Sequence, residues 1–554
     1  MARIVLFGLV SVLLTCFLLL PLCVTLRDAV WQEGRFSFDY LVLTISDPYL
    51  RGLLVNSFFL AFVVTALSTL IAVPASATLA RWTFRGRGLL TLALLSPLII
   101  PPFVGAVGLR LILGRFGPIN MLLIHMGLSE HGLDLLGSGR LFGVVVVETL
   151  HFFPLLFLML LGPMAMTRGT VEEAATGLGA DSFRRARKIL FPMIRAPLIA
   201  GILIVFLWSL TDLGAPLIFD YRYLLPVKIF DVTSEVGTSP VGSALVIVLL
   251  ATVLTIFALS RWALGQNVAW RSVRESSARP LPLSGWPLSR RLLWLIPLGI
   301  ASVLPHVAVL ITSVAEYWFM SILPKSWSLA YYVKCFQDPL SLDGLSNSLW
   351  MSACATVIDI IVALAIVHLV VRQRVKGSWL LDLTASLPLA IPGVLLAFGY
   401  LSLFLGTPLS PMNAAAPILV IAYAVRRLPY MVRSITAGAS AIPATWEEAA
   451  NSLGGSPFRV WRKVTLPLLF PSLLAGAIMA FTFSLLEVGC SIILAFREAD
   501  YPLTKSLWSL FARATEGPQV AAALGIVGML ILTAGLLVSA RLLGRKIGDL
   551  FRPL

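Results

Sequence analysis

Apolar runs of about twenty residues, the length that crosses the hydrocarbon core of a bilayer, recur along the whole chain. Twelve can be marked, near 4–24, 53–79, 88–111, 141–164, 197–219 and 241–264, then 292–314, 345–371, 379–405, 414–432, 471–496 and 519–543. Inside lipid every backbone amide must be satisfied within its own segment, so runs of this length are read as helices. A large soluble core would need amphipathic helices rather than uniformly apolar ones. The chain is 58% hydrophobic and only 12% charged, against about 25% charged in soluble domains. The fold class expected is an all-α membrane protein with about twelve transmembrane helices.

The formal net charge of +15 does not point to nucleic acid, because its placement follows the membrane. Arg81/Arg85/Arg87, Arg184–Lys188, Arg271–Arg291, Arg372–Lys376, Arg459–Lys463 and Arg541–Arg552 lie between apolar runs. All fall on one face if both termini are cytoplasmic, as the positive-inside rule requires. No basic stripe carries interleaved aromatics to stack bases. Cys16, Cys23, Cys335, Cys354 and Cys490 have no paired spacing, so neither a disulfide framework nor a metal site is expected. The first run resembles a signal peptide but lacks a small-residue cleavage site, and it is read as an uncleaved span.

The two halves of the chain repeat each other. Asn56-Ser57 and Asn347-Ser348 are 291 residues apart, as are Pro97 and Pro388 in Ser-Pro-Leu-Ile-Ile-Pro and Leu-Pro-Leu-Ala-Ile-Pro. Further on, the offset becomes 275, matching Pro154 with Pro429, Pro192 with Pro467 and Gly201 with Gly476. The loop containing Gly117–Gly139 absorbs the difference. Six spans in each half make this a direct repeat about an axis along the membrane normal. The expected division is a first six-span repeat over 1–264, a polar, Pro-containing linker over 265–291, and a second six-span repeat over 292–554.

The most specific text lies in the longest basic loop of each half, about 165–196 and 440–470. One copy reads Glu172-Glu173-Ala174-Ala175, then Gly179, Phe183 and Pro192; the other reads Glu447-Glu448-Ala449-Ala450, then Gly454, Phe458 and Pro467. Thr170 with Glu173 and Thr445 with Glu448 have capping-box spacing. Gly179 and Gly454 suit the left-handed position that ends a helix, and Ser182 or Ser456-Pro457 can begin the next. The expected product is a helix–turn–helix elbow.

These loops resemble the EAA loop of binding-protein-dependent ABC importer permeases: Glu-Ala-Ala, three residues, Gly, nine residues, Ile, any residue, Leu-Pro. Phe191 stands for the Leu in one copy and Val464 for the Ile in the other. The resemblance implies a coupling helix in each half that docks on an ATP-hydrolysing subunit, expected as a homodimer. It also implies a periplasmic or extracellular solute-binding protein and residence, with lipid as solvent, in the bacterial inner membrane. The chain has no Gly-x-x-x-x-Gly-Lys-Ser/Thr phosphate loop, so ATP hydrolysis falls to partner subunits. No constellation suits catalysis or a cofactor. Fused double permeases of this length resemble the ferric-iron and thiamine branches, with aminophosphonate and polyamine relatives close by. Ferric iron ranks first. The rival class is a twelve-span secondary transporter, which would leave two coupling loops unexplained.

Asp212 and Glu487 match across the repeat, each two residues before a glycine. Carboxylates at membrane depth are costly and face a cavity or partner, so they are possible pathway residues, with helix-end packing the plainer reading. Arg110 and Arg222 are possible partners for them. Glu148, Asp359 and His368 lie in apolar spans without a counterpart, and Arg426 and Arg427 are read as snorkelling from a span end.

Overall fold

The computed structural model describes residues 2–542 apart from 33, 100–101, 137–139, 167–169, 237–238, 265–280, 317, 374 and 514. The expected linker, 265–291, and the C-terminal basic residues therefore lie largely outside the described residues. Among those described, eleven helices are long and apolar enough to cross a membrane. They are Arg3–Val30, Pro48–Arg81, Phe103–His125, Leu141–Ala165, Phe183–Ile218, Pro240–Leu259, Gly285–Val314, Pro339–Arg372, Ala415–Ala441, Pro457–Leu485 and Gly517–Gly535. A twelfth path is a helix pair, Ser378–Leu389 and Gly393–Phe404, bent by 108°. In chain order, with this pair ninth, they are called the first to twelfth spans. Extended pairing among described residues is limited to two-residue ladders, Trp31–Gln32 with Arg35–Phe36 and Trp82–Thr83 with Leu281–Pro282, and an isolated bridge between Ala315 and Trp327. The chain is an all-α, multi-pass membrane protein.

Many large apolar side chains stay on the outside of the spans: Phe62, Leu70, Leu293, Ile300 and Ile361 are each more than 60% exposed. Lipid rather than water suits such a surface. Seryl and threonyl hydroxyls inside the spans fold back on carbonyls one turn earlier, as Ser57 does on Leu53 and Thr356 on Ser352.

The apolar runs near 88–111 and 379–405 each read as one span, and the structure breaks both. Prolines deny amides to the helix and clash with the preceding turn. In the ninth span Pro388 sits in a 3-10 turn and Pro392 caps the next helix. In the third, helix Arg87–Leu95 and a 3-10 turn through Pro97 precede helix Pro102–Leu113. The seventh span also begins at Gly285, seven residues earlier than the apolar text suggested, so Arg290 and Arg291 ride on helix rather than linker.

Matched sequence positions make matched contacts. Asp47 and Asp338 cap the second and eighth spans ahead of Pro48 and Pro339. Asn56 donates to the Tyr223 carbonyl at 3.2 Å, and Asn347 to the Tyr501 carbonyl at 3.1 Å. The Ser57 hydroxyl accepts from the Leu225 amide at 2.9 Å, and Ser348 accepts from Leu503 at 2.6 Å. The first span packs on the ninth, and the seventh on the third, so each crosses to the other half of the chain. Glycine allows this approach: a Cβ on Gly108 would lie 2.7 Å from the Pro305 carbonyl oxygen, and one on Gly399 would lie 3.1 Å from that of Pro21.

Candidate functional site

The two loops singled out by sequence fold into the same elbow. Helix Thr170–Gly177 turns into a helix starting at Ser182, and helix Ala444–Ser452 turns into one starting at Pro457. Gly179 and Gly454 have φ of +79° and +82°, which any side chain would strain. Around each glycine two amides return to the helix end: Gly179 donates to Thr176 and Ala180 to Ala175, Gly454 to Asn451 and Gly455 to Ala450. This is the Schellman arrangement, and it satisfies carbonyls that a helix end leaves orphaned. Asp181 and Ser456 then accept the amides of Arg184 and Arg459 to start the second helix. That helix runs on through a π turn, Ala186–Leu190 or Trp461–Thr465, into the fifth or eleventh span. The wider turn lets the helix pass Pro192 and Pro467, which follow it with no amide to donate.

At the tip of each elbow apolar side chains stand in the open. Leu178 and Leu453 are 88% and 89% exposed, Phe183 and Phe458 73% and 68%. Ala174 and Ala449 are exposed, and Ala175 and Ala450 half-buried. The side chains of Glu172 and Glu173 lie outside the described residues. The capping box expected at Thr445 and Glu448 does not form. Pro443, already extended, caps the helix, which places Thr445 inside the first turn. Glu447 has the structural role instead: it accepts from the Thr465 hydroxyl at 2.8 Å and pairs with Arg372 at 3.3 Å. Arg372 also donates to the Ile442 carbonyl, so the second elbow is tied to the end of the eighth span. Behind it lies a cavity of about 170 Å³ lined partly by His368, Arg372, Gln373 and Glu447.

Asp212 and Glu487 both sit where a span is interrupted. The fifth span's helix stops at Leu210 and resumes at Gly214, and the eleventh's stops at Leu485 before a short helix from Gly489. Asp212 accepts the Ala215 amide at 3.0 Å, and Glu487 accepts the Cys490 amide at 3.4 Å. The two breaks face one another: a Cβ on Gly214 would lie 3.6 Å from Val488. Both carboxylates therefore flank the place where the halves of the chain meet.

Their surroundings differ. Glu487 is buried and holds Arg426 at 2.9 Å and Arg427 as well. The expectation that these arginines snorkel from a span end is corrected. The tenth span runs to Ala441, which leaves Arg426 and Arg427 in its middle, where a buried carboxylate is the available partner. Among the described residues no arginine pairs with Asp212. Arg110 donates instead to the Ile218 carbonyl, and Arg222 pairs with Asp220 and Asp231. Glu148 is buried nearby and accepts from the Ser209 hydroxyl. Asp359 is buried with Arg427 as its charged neighbour, and His368 meets Gln373 at 3.2 Å.

Residues 353–549 match the model of the family described as binding-protein-dependent transport system inner membrane component. Similarity to whole proteins extends further. The chain is 26% identical over 506 residues to a putative ferric transport system permease protein FbpB of Haemophilus influenzae, covering 88% of this chain and 77% of that one. It is 26% identical over 497 residues to the ferric transport system permease protein FbpB of Actinobacillus pleuropneumoniae, covering 87% and 70%. A putative 2-aminoethylphosphonate transport system permease protein PhnV of Salmonella paratyphi A is 28% identical over 244 residues, covering 44% of this chain and 91% of that one. The second half therefore carries that family's domain, and the relatives matched over most of the chain are named as permeases of transport systems.

Two features of this chain escaped sequence reasoning. One is His151, which lies against the Pro97 carbonyl and takes the place of Arg426 at the 275-residue offset. The other is the Glu487–Arg426–Arg427 cluster. The signal available was a pair of arginines that the same offset aligns with His151-Phe152, well inside an apolar span.

Proposed function

We propose that this permease forms the translocation pathway for ferric iron in the bacterial inner membrane, with its elbow end cytoplasmic and both termini on that side. An ATPase homodimer sits under the elbows, and a solute-binding protein delivers cargo to the opposite end. The observation that carries this reading is the pair of elbows. Each is built on a left-handed glycine, and each leaves a leucine and a phenylalanine exposed where a monomeric surface would bury them. Two matched knobs suit two matched grooves, as a symmetric ATPase dimer offers. Alternating access then follows: ATP closes the dimer, the elbows are drawn together, and the two six-span halves rock about the facing breaks. Matched caps, matched serine contacts and crossed first spans support treating 1–264 and 292–554 as two such halves. Ferric iron leads because the permeases named for it align over most of the chain, whereas the aminoethylphosphonate permease aligns over less than half.

The test is uptake into proteoliposomes holding the permease, its ATPase and its binding protein. Iron uptake that requires internal ATP is the expected result. Uptake driven by an ion gradient without the ATPase would assign the chain to secondary transport. Gly179→Leu and Gly454→Leu are expected to leave membrane insertion intact and abolish ATP-driven uptake, because the left-handed turn penalises a side chain by about 1–2 kcal/mol. Normal uptake in both variants would refute the elbow mechanism.

A further inference from the structure

The second half of the permease shows what its break does with a carboxylate: it seats a cation there. Glu487 holds the Arg426 guanidinium at 2.9 Å, and Gly393 leaves room for it, since a Cβ there would collide with Arg426. In the first half the position of Arg426 is His151 and that of Gly393 is Pro102, while Asp212 takes the place of Glu487. Tyr423, whose hydroxyl is satisfied by Ser491 at 2.6 Å, is replaced by Glu148. The built-in cation is thus gone and a second carboxylate has been added.

That added carboxylate is incompletely satisfied. Glu148 is only 2% exposed; one oxygen accepts from Ser209, and the other, Oε1, is buried without a hydrogen-bond partner. Asp212 is the charged group acting on it. The His151 Nδ1 atom is likewise buried and without a partner. A buried carboxylate oxygen left bare is costly, and it is retained where a ligand completes it.

We propose that Glu148, Asp212 and His151 form a transit site for a compact cation, either a metal ion or an ammonium group, in the place that the Arg426 guanidinium occupies in the second half. This deepens the permease reading and rests on it. Among the described residues no three His, Cys, Asp or Glu side chains are close enough to hold a metal ion as a set. Two carboxylates that attract without chelating suit a pathway, where a solute must bind well enough to enter and weakly enough to leave. Glu487 is not part of this site, because its charge is already taken.

The test uses the complete importer in proteoliposomes, with ferric iron on its binding protein in one arm and 2-aminoethylphosphonate in the other. Whichever solute the wild type carries identifies the source of the positive charge. Each variant is then measured for uptake and for ATP hydrolysis stimulated by the binding protein. Glu148→Gln and Asp212→Asn keep shape and remove charge, and each is expected to lower uptake about tenfold, the loss of one charge-assisted contact, while stimulated hydrolysis stays within about twofold. His151→Arg installs the second half's guanidinium and is expected to lower uptake at least as much. Wild-type uptake in the two isosteric variants overturns the transit site, and so does loss of stimulated hydrolysis alongside uptake in both, which would mark a structural role. If ATP drives uptake of neither solute, the ferric-iron reading fails, and the same variants are read with a polyamine as the ammonium solute; uptake of all of them only by an ion gradient is what sinks the permease reading.

Discussion

The second and eighth spans are near copies in structure, whereas the fourth and tenth are copies only in outline. Both members of the first pair begin at an aspartate cap and use the same serine to receive an amide from a distant helix. In the second pair, Phe152 packs edge-on to Trp208 at 6.1 Å, while at the matching positions Arg427 lies over Phe483 at 5.8 Å. The same pair of sequence positions makes a ring–ring contact in one half and a cation–π contact in the other. Caps, prolines, close-packed glycines and turn glycines set the frame and recur. A carboxylate recurs at each break, as Asp212 and Glu487, but the arginines that Glu487 holds do not.

The comparison is broken most severely by giving the second half the first half's residues. Arg426→His with Arg427→Phe copies His151 and Phe152, and leaves Glu487, 4% exposed, without its cations. Stranding a buried charge costs about 3–5 kcal/mol, and a marked fall in Tm in detergent is expected. Adding Glu487→Gln removes the stranded charge and should recover most of the loss. If the double variant melts like the wild type, the cluster contributes nothing to stability, and the contrast drawn between the halves fails.

Next in size come the elbow tips. Phe183→Ala and Phe458→Ala are each expected to weaken ATPase association by about 2 kcal/mol, the scale of an interface anchor, with no change in Tm of the permease alone. Equal effects would extend the structural symmetry of the elbows to their energetics. A tip whose removal leaves co-purification of the ATPase unchanged is not a docking knob.

Glu447 sharpens the comparison further, since its hydroxyl partner has no counterpart in the first elbow. The Thr465 hydroxyl that donates to Glu447 is replaced by Leu190 in the first half. Glu447→Gln keeps the acceptor for Thr465 and removes the half-buried ion pair with Arg372, worth about 1 kcal/mol. Faster amide exchange in 444–452 is expected, with 170–177 unchanged, read by hydrogen–deuterium exchange. Equal loosening of both elbows would mean that the latch acts on the whole bundle.

What sequence disclosed, and what it hid, follows the same division. Spans, the 291- and 275-residue offsets and the elbow glycines were legible because each is local: a run length, a spacing, a residue that alone tolerates positive φ. The breaks in the third, fifth, ninth and eleventh spans were not, because hydropathy averages over an interruption of three residues. Arg426 and Glu487 are 61 residues apart in the chain, and nothing local to either announces the other. The expected end of the tenth span at 432 put the arginines near an interface, and only the helix continuing to Ala441 places them in the middle.

The smallest expected effect concerns Lys505, whose counterpart at an offset of 278 is the fully buried Val227. Lys505 is 8% exposed, donates to the Ile492 carbonyl at 2.7 Å and lies near the rings of Tyr501 and Trp508. No carboxylate balances it there, and burial lowers its amine from the ordinary 10.5 to about 8. A base with a lowered folded pKa carries its full penalty below that value, and stability rises as pH climbs from about 8 toward 10.5. Burial and the nearby Glu498 push the Tyr501 phenol above its ordinary value, so it interferes little in the lower part of that window. Lys505→Val copies the first half and should flatten the rise. Its net gain at pH 7 is expected to be only about 1 kcal/mol, because the carbonyl bond and the ring contacts are lost with the charge. Thermal unfolding in detergent at pH 7, 8, 9 and 10 reads both effects. A wild-type Tm that stays flat across that series would show that Lys505 reaches solvent, and this position would then count as a surface substitution rather than a buried difference between the halves.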